Sequence, residues 1–146
     1  TVSLKPGWYT LTSALDSSKC LDLSGNVGAD GGKIQLYGRN GTAAQRFYLA
    51  YGRGGAYRLL PGDGYAVDVS GAGKAAGTPV QLYTNNYTAA QNWFVEKNSD
   101  GTVSLKSACN GLYMDVQNAG TKNGTQIQCW TGNGTAAQKW QLTPVK

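Results

Sequence analysis

Three aspartates, Asp22, Asp68 and Asp115, stand 46 and 47 residues apart, and each opens a 24-residue stretch that closes on a glutamine: Gln45, Gln91 and Gln138. Between acid and glutamine, at the same place each time, come an aromatic and an asparagine: Tyr37 with Asn40, Tyr83 with Asn86, Trp130 with Asn133. This set suits a hydroxyl-rich ligand. A carboxylate accepts hydrogen bonds from neighbouring hydroxyls, a carboxamide donates and accepts, and a ring packs on an apolar C–H face. A second amide, Gln35, Gln81 or Gln128, stands two residues before each aromatic and is a second tier of the same set. The chain has no histidine. The commonest general base and the imidazole metal ligand are therefore missing, and the set is expected to bind rather than to catalyse, with no cofactor and no metal.

A structural reading competes at each residue. An aspartate before Gly or Asn, as in DLSG, DVSG and DVQN, can brace its own turn, and an exposed tyrosine can be an ordinary strand residue. The recurrence of all three types in three copies favours a site. The closing glutamines differ. Each precedes a core aromatic (Phe47, Trp93 or Trp140) by two residues, so a buried amide with hydrogen-bonding needs is expected there. Its first reading is a clamp that orients the aspartate, its second a ligand contact.

The elements that position these residues are legible in the apolar pattern. Pairs alternating with period two recur four times in each copy, the signature of half-buried strands. They are Tyr9/Leu11, Leu21/Leu23, Ile34/Leu36 and Phe47/Leu49; then Tyr57/Leu59, Val67/Val69, Val80/Leu82 and Trp93/Val95; then Val103/Leu105, Met114/Val116, Ile127/Cys129 and Trp140/Leu142. Strand parity turns Asp22, Gln35 and Tyr37, and their counterparts, away from the face that holds the apolar pairs. Four strands alone bury too little, so three groups must share one core about an approximate threefold axis. A propeller needs more blades to close. The expected fold is all-β, a β-trefoil of three pseudo-symmetric repeats of four short strands. One domain spans 1–146, with repeats near 8–53, 54–100 and 101–146. Gly31, Gly77 and Gly124 recur at one place and predict a turn with positive φ.

Composition agrees with strands and turns: 21 Gly and 14% charged residues. The formal charge is +5, but the basic residues are scattered and form no run, so nucleic acid is not an expected partner. No apolar run is long enough to enter a membrane as a span. The isolated module is expected to be monomeric, and its start at Thr1 suggests a processed or excised piece. Cys20, Cys109 and Cys129 are odd in number, which leaves at least one thiol unpaired within the chain. Cys129 takes the slot of Leu36 and Leu82 and reads as a small core residue; a disulfide from Cys109 to either of the others stays open.

The Gln-x-aromatic endings (QRF, QNW, QKW), the LDL, VDV and MDV strands and the QLY, QLY and QCW strands resemble the ricin B-type lectins. In particular they are similar to the family 13 carbohydrate-binding modules attached to secreted glycoside hydrolases. The resemblance runs from Trp8 to Leu142. It implies a β-trefoil with three shallow pockets for galactose-type sugars or pentose polymers, built from Asp22, Tyr37 and Asn40; Asp68, Tyr83 and Asn86; and Asp115, Trp130 and Asn133, with Gln45, Gln91 and Gln138 in support. Two departures stand out. Many relatives carry Asn before the closing Gln where this chain has Ala44, Ala90 and Ala137, and Arg39 occupies the place where a disulfide partner of Cys20 would stand.

The implied partner is a mono- or oligosaccharide, polysaccharide or glycan with galactose, lactose, arabinose or xylose units. Protein binding on a trefoil is the alternative, and a glycosidase the less favoured one, because paired catalytic carboxylates must stand within about 5–10 Å. Asn40, Asn86, Asn123 and Asn133 all begin N-glycosylation acceptor triplets. Glycans on three of them would crowd the pockets, so a bacterial, extracellular origin is expected.

Overall fold

The computed structural model describes residues 4–62 and 64–145. Twelve strands occur among them, four per repeat, in an all-β fold. The first repeat gives β1 (Gly7–Ser13), β2 (Asp16–Leu23), β3 (Gly32–Gly38) and β4 (Phe47–Tyr51). The second gives β5 (Tyr57–Leu60), β6 (Tyr65–Val69), β7 (Val80–Thr84) and β8 (Trp93–Lys97). The third gives β9 (Val103–Ser107), β10 (Tyr113–Val116), β11 (Thr125–Trp130) and β12 (Trp140–Pro144).

The pairings define a β-trefoil. The first and last strands of each repeat close a ring in the order β1, β4, β5, β8, β9, β12 and back to β1, every neighbour antiparallel. This is a six-stranded barrel without an edge, so no open ladder is left to solvent. The hairpins β2–β3, β6–β7 and β10–β11 cap one end and touch one another through β3–β7, β3–β11 and a bridge from Pro79 to Gln128.

The alternating pairs fill the core. All are buried except Leu142, which packs against it partly covered. Cys129 is fully buried in this cluster, as its alignment with Leu36 and Leu82 predicts. All three cysteines are free thiols, so the disulfide left open for Cys109 is not formed. Burial pushes the Cys20 thiol up to about 12 and Cys129 up to about 11, which keeps both protonated and unreactive at neutral pH.

Gly31, Gly77 and Gly124 adopt φ of 85°, 96° and 93°, the predicted left-handed turn. Their backbone N–H groups link the lobes in a cycle. Gly31 donates to Leu82 O at 2.8 Å, Gly77 to Cys129 O at 2.7 Å and Gly124 to Leu36 O at 2.8 Å. Each lobe thereby anchors its second hairpin strand to the next lobe.

One expectation needs refining. Parity does turn Asp22, Asp68, Asp115 and the paired glutamines to the face opposite the main core, yet the aspartates are only 4% exposed and Gln35 and Gln128 are buried too. The far face of each hairpin is roofed by two short turns that meet over it, Ser24–Asn26 with Ala43–Gln45 in the first repeat and their counterparts in the others. Alternation reports which side a residue faces, and a loop that folds back over that side is invisible to it.

Candidate functional site

Each hairpin carries the same buried carboxylate, gripped by two amides. In the first lobe Gln35 Nε2 donates to Asp22 Oδ1 at 2.9 Å and Gln45 Nε2 to Asp22 Oδ2 at 3.0 Å. In the second, Gln81 and Gln91 hold Asp68 at 3.1 and 3.0 Å. In the third, Gln128 and Gln138 hold Asp115 at 3.0 and 3.0 Å. The aspartates do not brace the following turn through its backbone; their oxygens go to glutamine. One amide on each oxygen leaves a lone pair per oxygen for a further donor.

The closing glutamine is a three-way clamp. Besides the aspartate, Gln45 Nε2 reaches Gly38 O at 2.8 Å, and its Oε1 accepts the Asn40 backbone N–H at 2.9 Å. Gln91 makes the same bonds to Thr84 O and Asn86 N, and Gln138 to Thr131 O and Asn133 N. With both N–H groups and the carbonyl committed inside the protein, the geometry favours the clamp over the ligand contact. The aromatic two residues later ties the same place from behind. Trp93 Nε1 donates to Val67 O at 3.2 Å and Trp140 Nε1 to Met114 O at 3.3 Å, the carbonyls just before Asp68 and Asp115. Sequence reasoning gave these tryptophans a core role and missed the indole donor; Phe47 has none to offer.

The loop asparagines sit at the rim. Asn40 Oδ1 accepts both the N–H and the Oγ1–H of Thr42 at 3.1 and 2.7 Å, and Asn86 with Thr88 and Asn133 with Thr135 repeat this. The threonine of each of these three triplets thus shapes the turn, and no protein acceptor takes the Nδ2 donors among the described residues. The aromatic faces stay open: Tyr37, Tyr83 and Trp130 are 38%, 39% and 41% exposed.

The turn after each aspartate, whose paired positive φ the sequence did not reveal, supplies a further wall in the second and third lobes. After each aspartate strand two successive residues take positive φ: Gly25 and Asn26, Gly71 and Ala72, Asn118 and Ala119. Ala72 and Ala119 in this region carry strain of the kind often kept at binding sites. The Gly or Asn in DLSG, DVSG and DVQN is the trace of this turn.

In the second lobe these parts line a cleft of about 580 Å³ with Asp68, Gln81, Tyr83 and Asn86, extended by Lys74, Ala108 and Cys109. In the third they line about 310 Å³ with Asp115, Gln128, Trp130 and Asn133. Ala90 and Ala137 form part of the walls as buried apolar residues, so no side-chain hydrogen bond arises where many relatives keep an asparagine. Burial raises the Asp68 and Asp115 carboxyls above the ordinary range, outweighing the glutamine donors that pull the other way.

The comparisons with known proteins agree with this fold. The family description "Ricin-type beta-trefoil lectin domain" matches residues 7–144. No curated protein matches the chain. Among solved structures, ThreeFoil, a designed threefold-symmetric protein, is 28% identical with a TM-score of 0.91 over 95% of this chain and 99% of its own. An exo-beta-1,3-galactanase from Clostridium thermocellum is also 28% identical, TM-score 0.89, over 95% of this chain but only 30% of the enzyme. The Rhizoctonia solani agglutinin is 24% identical, TM-score 0.84, over 99% of each chain, a likeness of fold.

Proposed function

We propose, from the premise that this chain belongs to the family of ricin-type β-trefoil lectin domains, that it is a non-catalytic, trivalent carbohydrate-binding module. One observation carries the reading: every lobe buries a carboxylate between two glutamine amides, in the same repeat as an exposed aromatic ring and an asparagine whose amide donors no described residue takes. Sugar hydroxyls donate to Asp22, Asp68 and Asp115, the sugar's apolar face stacks on Tyr37, Tyr83 and Trp130, and Asn40, Asn86 and Asn133 donate from the rim.

The ligand class is a polysaccharide or glycan with galactose-type or pentose units, and the role is to hold a secreted, bacterial enzyme or surface protein on it. Its likeness to a part of a galactanase supports the galactose side of that class. The three carboxylates belong to separate lobes, which favours binding over paired-carboxylate hydrolysis. Shallow single sites bind weakly, and engaging several on one polymer raises avidity by about 10²-fold or more.

Affinity electrophoresis in gels containing galactan or arabinoxylan tests this. Asp22→Ala, Asp68→Ala and Asp115→Ala each lower retardation by a step, and the triple variant migrates as in a plain gel. Loss of all retardation from any one change overturns trivalency.

A further inference from the structure

On the other side of the loop that carries each rim asparagine lies a second groove, and the three lobes have made it different. In the second lobe Arg58 occupies the place: its guanidinium lies 4.7 Å from the Tyr87 ring centroid and bonds Asn85 Oδ1 at 3.3 Å. In the third the groove contains Glu96, which accepts the Tyr113 O–H at 2.6 Å, and Gly132 stands where the first lobe has Arg39. In the first the groove is open, about 400 Å³, and two guanidiniums line it, Arg39 and Arg46.

Each of those arginines is anchored once. Arg39 Nη1 donates to Ser17 O at 3.2 Å and Arg46 Nη2 to Gly41 O at 2.8 Å. Among the described residues the only ion pair is Lys139 with Asp100, so neither guanidinium has a carboxylate partner there. Two cations facing one groove repel each other, and each still offers several N–H donors in a fixed fork that fits a carboxylate. Thr10 and Thr143, paired across β1 and β12, add hydroxyls to the same groove. Thr42 lines it too, while its counterparts Thr88 and Thr135 line the aspartate clefts, so this loop is the partition between groove and pocket.

We infer that the Arg39–Arg46 groove binds the carboxylate of an acidic sugar unit next to the sugar held in the first-lobe pocket. The inference rests on the carbohydrate-binding reading and adds to it a preference for acid-decorated chains that the second and third lobes do not share.

The test compares gels with neutral xylan, glucuronic-acid-substituted xylan and the same polymer after carboxyl reduction, and, as the other source of a sugar acid, a sialylated glycoprotein before and after desialylation. The unaltered chain binds an acidic form about three- to tenfold tighter than its neutral form at low salt, a gain that 0.5 M NaCl screens away. R39Q/R46Q loses that gain but keeps its retardation on neutral polymer, whereas K97Q/K106Q, which removes the same charge from β8 and β9, keeps the gain. The acid that shows the arginine-dependent gain identifies the source. Equal binding of acidic and neutral forms, or a gain that survives R39Q/R46Q, overturns the inference. Failure to bind any of the polymers or the glycoprotein overturns the carbohydrate reading instead.

Discussion

Burial gives Asp68 and Asp115 a pH behaviour that an exposed carboxylate lacks. Asp68 and Asp115 are raised mainly by desolvation, whereas the exposed Asp100 is held down to about 2, first by its hydrogen bond with Thr102. The two kinds act in separate windows. Between the unfolded-state value, about 4, and the raised native values, the folded chain keeps protons on Asp68 and Asp115 that the unfolded chain has released. Their contribution to stability is therefore complete below about pH 4 and is lost as pH rises through the native values. Binding runs the other way, since the ionised carboxylate is the better acceptor. Urea denaturation from pH 4 to 7 should show this declining contribution, and polymer retardation over the same range should strengthen. The acid, aromatic and amide types were legible at this scale because each recurs at fixed spacing. The degree of burial was not, because it depends on the turn just after each aspartate meeting a second turn late in the same repeat.

The Gln-x-aromatic segment works as an element rather than as three residues. Its 3-10 turn, Ala89–Gln91 in the second lobe, aims the glutamine under the rim loop and the tryptophan into the core. One short segment thereby fixes Asp68 from the side chain and Val67 from the backbone. Gln91→Ala leaves Thr84 O, Asn86 N and one oxygen of Asp68 without their partner. The expected loss is about 2–4 kcal/mol in chemical denaturation, because some of these groups regain water through the open cleft. Sugar binding at that lobe should fall as strongly as in Asp68→Ala while the other two lobes keep theirs. The clamp was legible in sequence as the first reading of the glutamine. Of the left-handed turn only Gly71 left a trace, since Ala72 gives no sign of its positive φ.

At the scale of the molecule the lobes are not independent beads. The barrel ring takes its strands from all three repeats, and the glycine bonds run from first to second, second to third and third to first. Removing residues 101–146 leaves β1 without β12, β8 without β9 and Leu36 O without Gly124, and it opens the shared core to water. The two-repeat chain should give no cooperative thermal transition by circular dichroism, although each repeat it keeps is complete in sequence.

The sequence by itself determined the repeat, the strands, the trefoil and which residue types recur together in each copy, because period-two alternation and exact spacing are local properties that survive in one dimension. Only the tertiary structure decided that the aspartates are buried, that the glutamines are spent on the protein, and that the second and third clefts differ in size. It also placed Arg39 and Arg46 together in the first-lobe groove while Arg58 fills its counterpart. These facts depend on which loop folds over which strand and on what a neighbouring lobe brings to the gap. Threefold repetition made the lobes alike in sequence, and their unlike surroundings make them different in space.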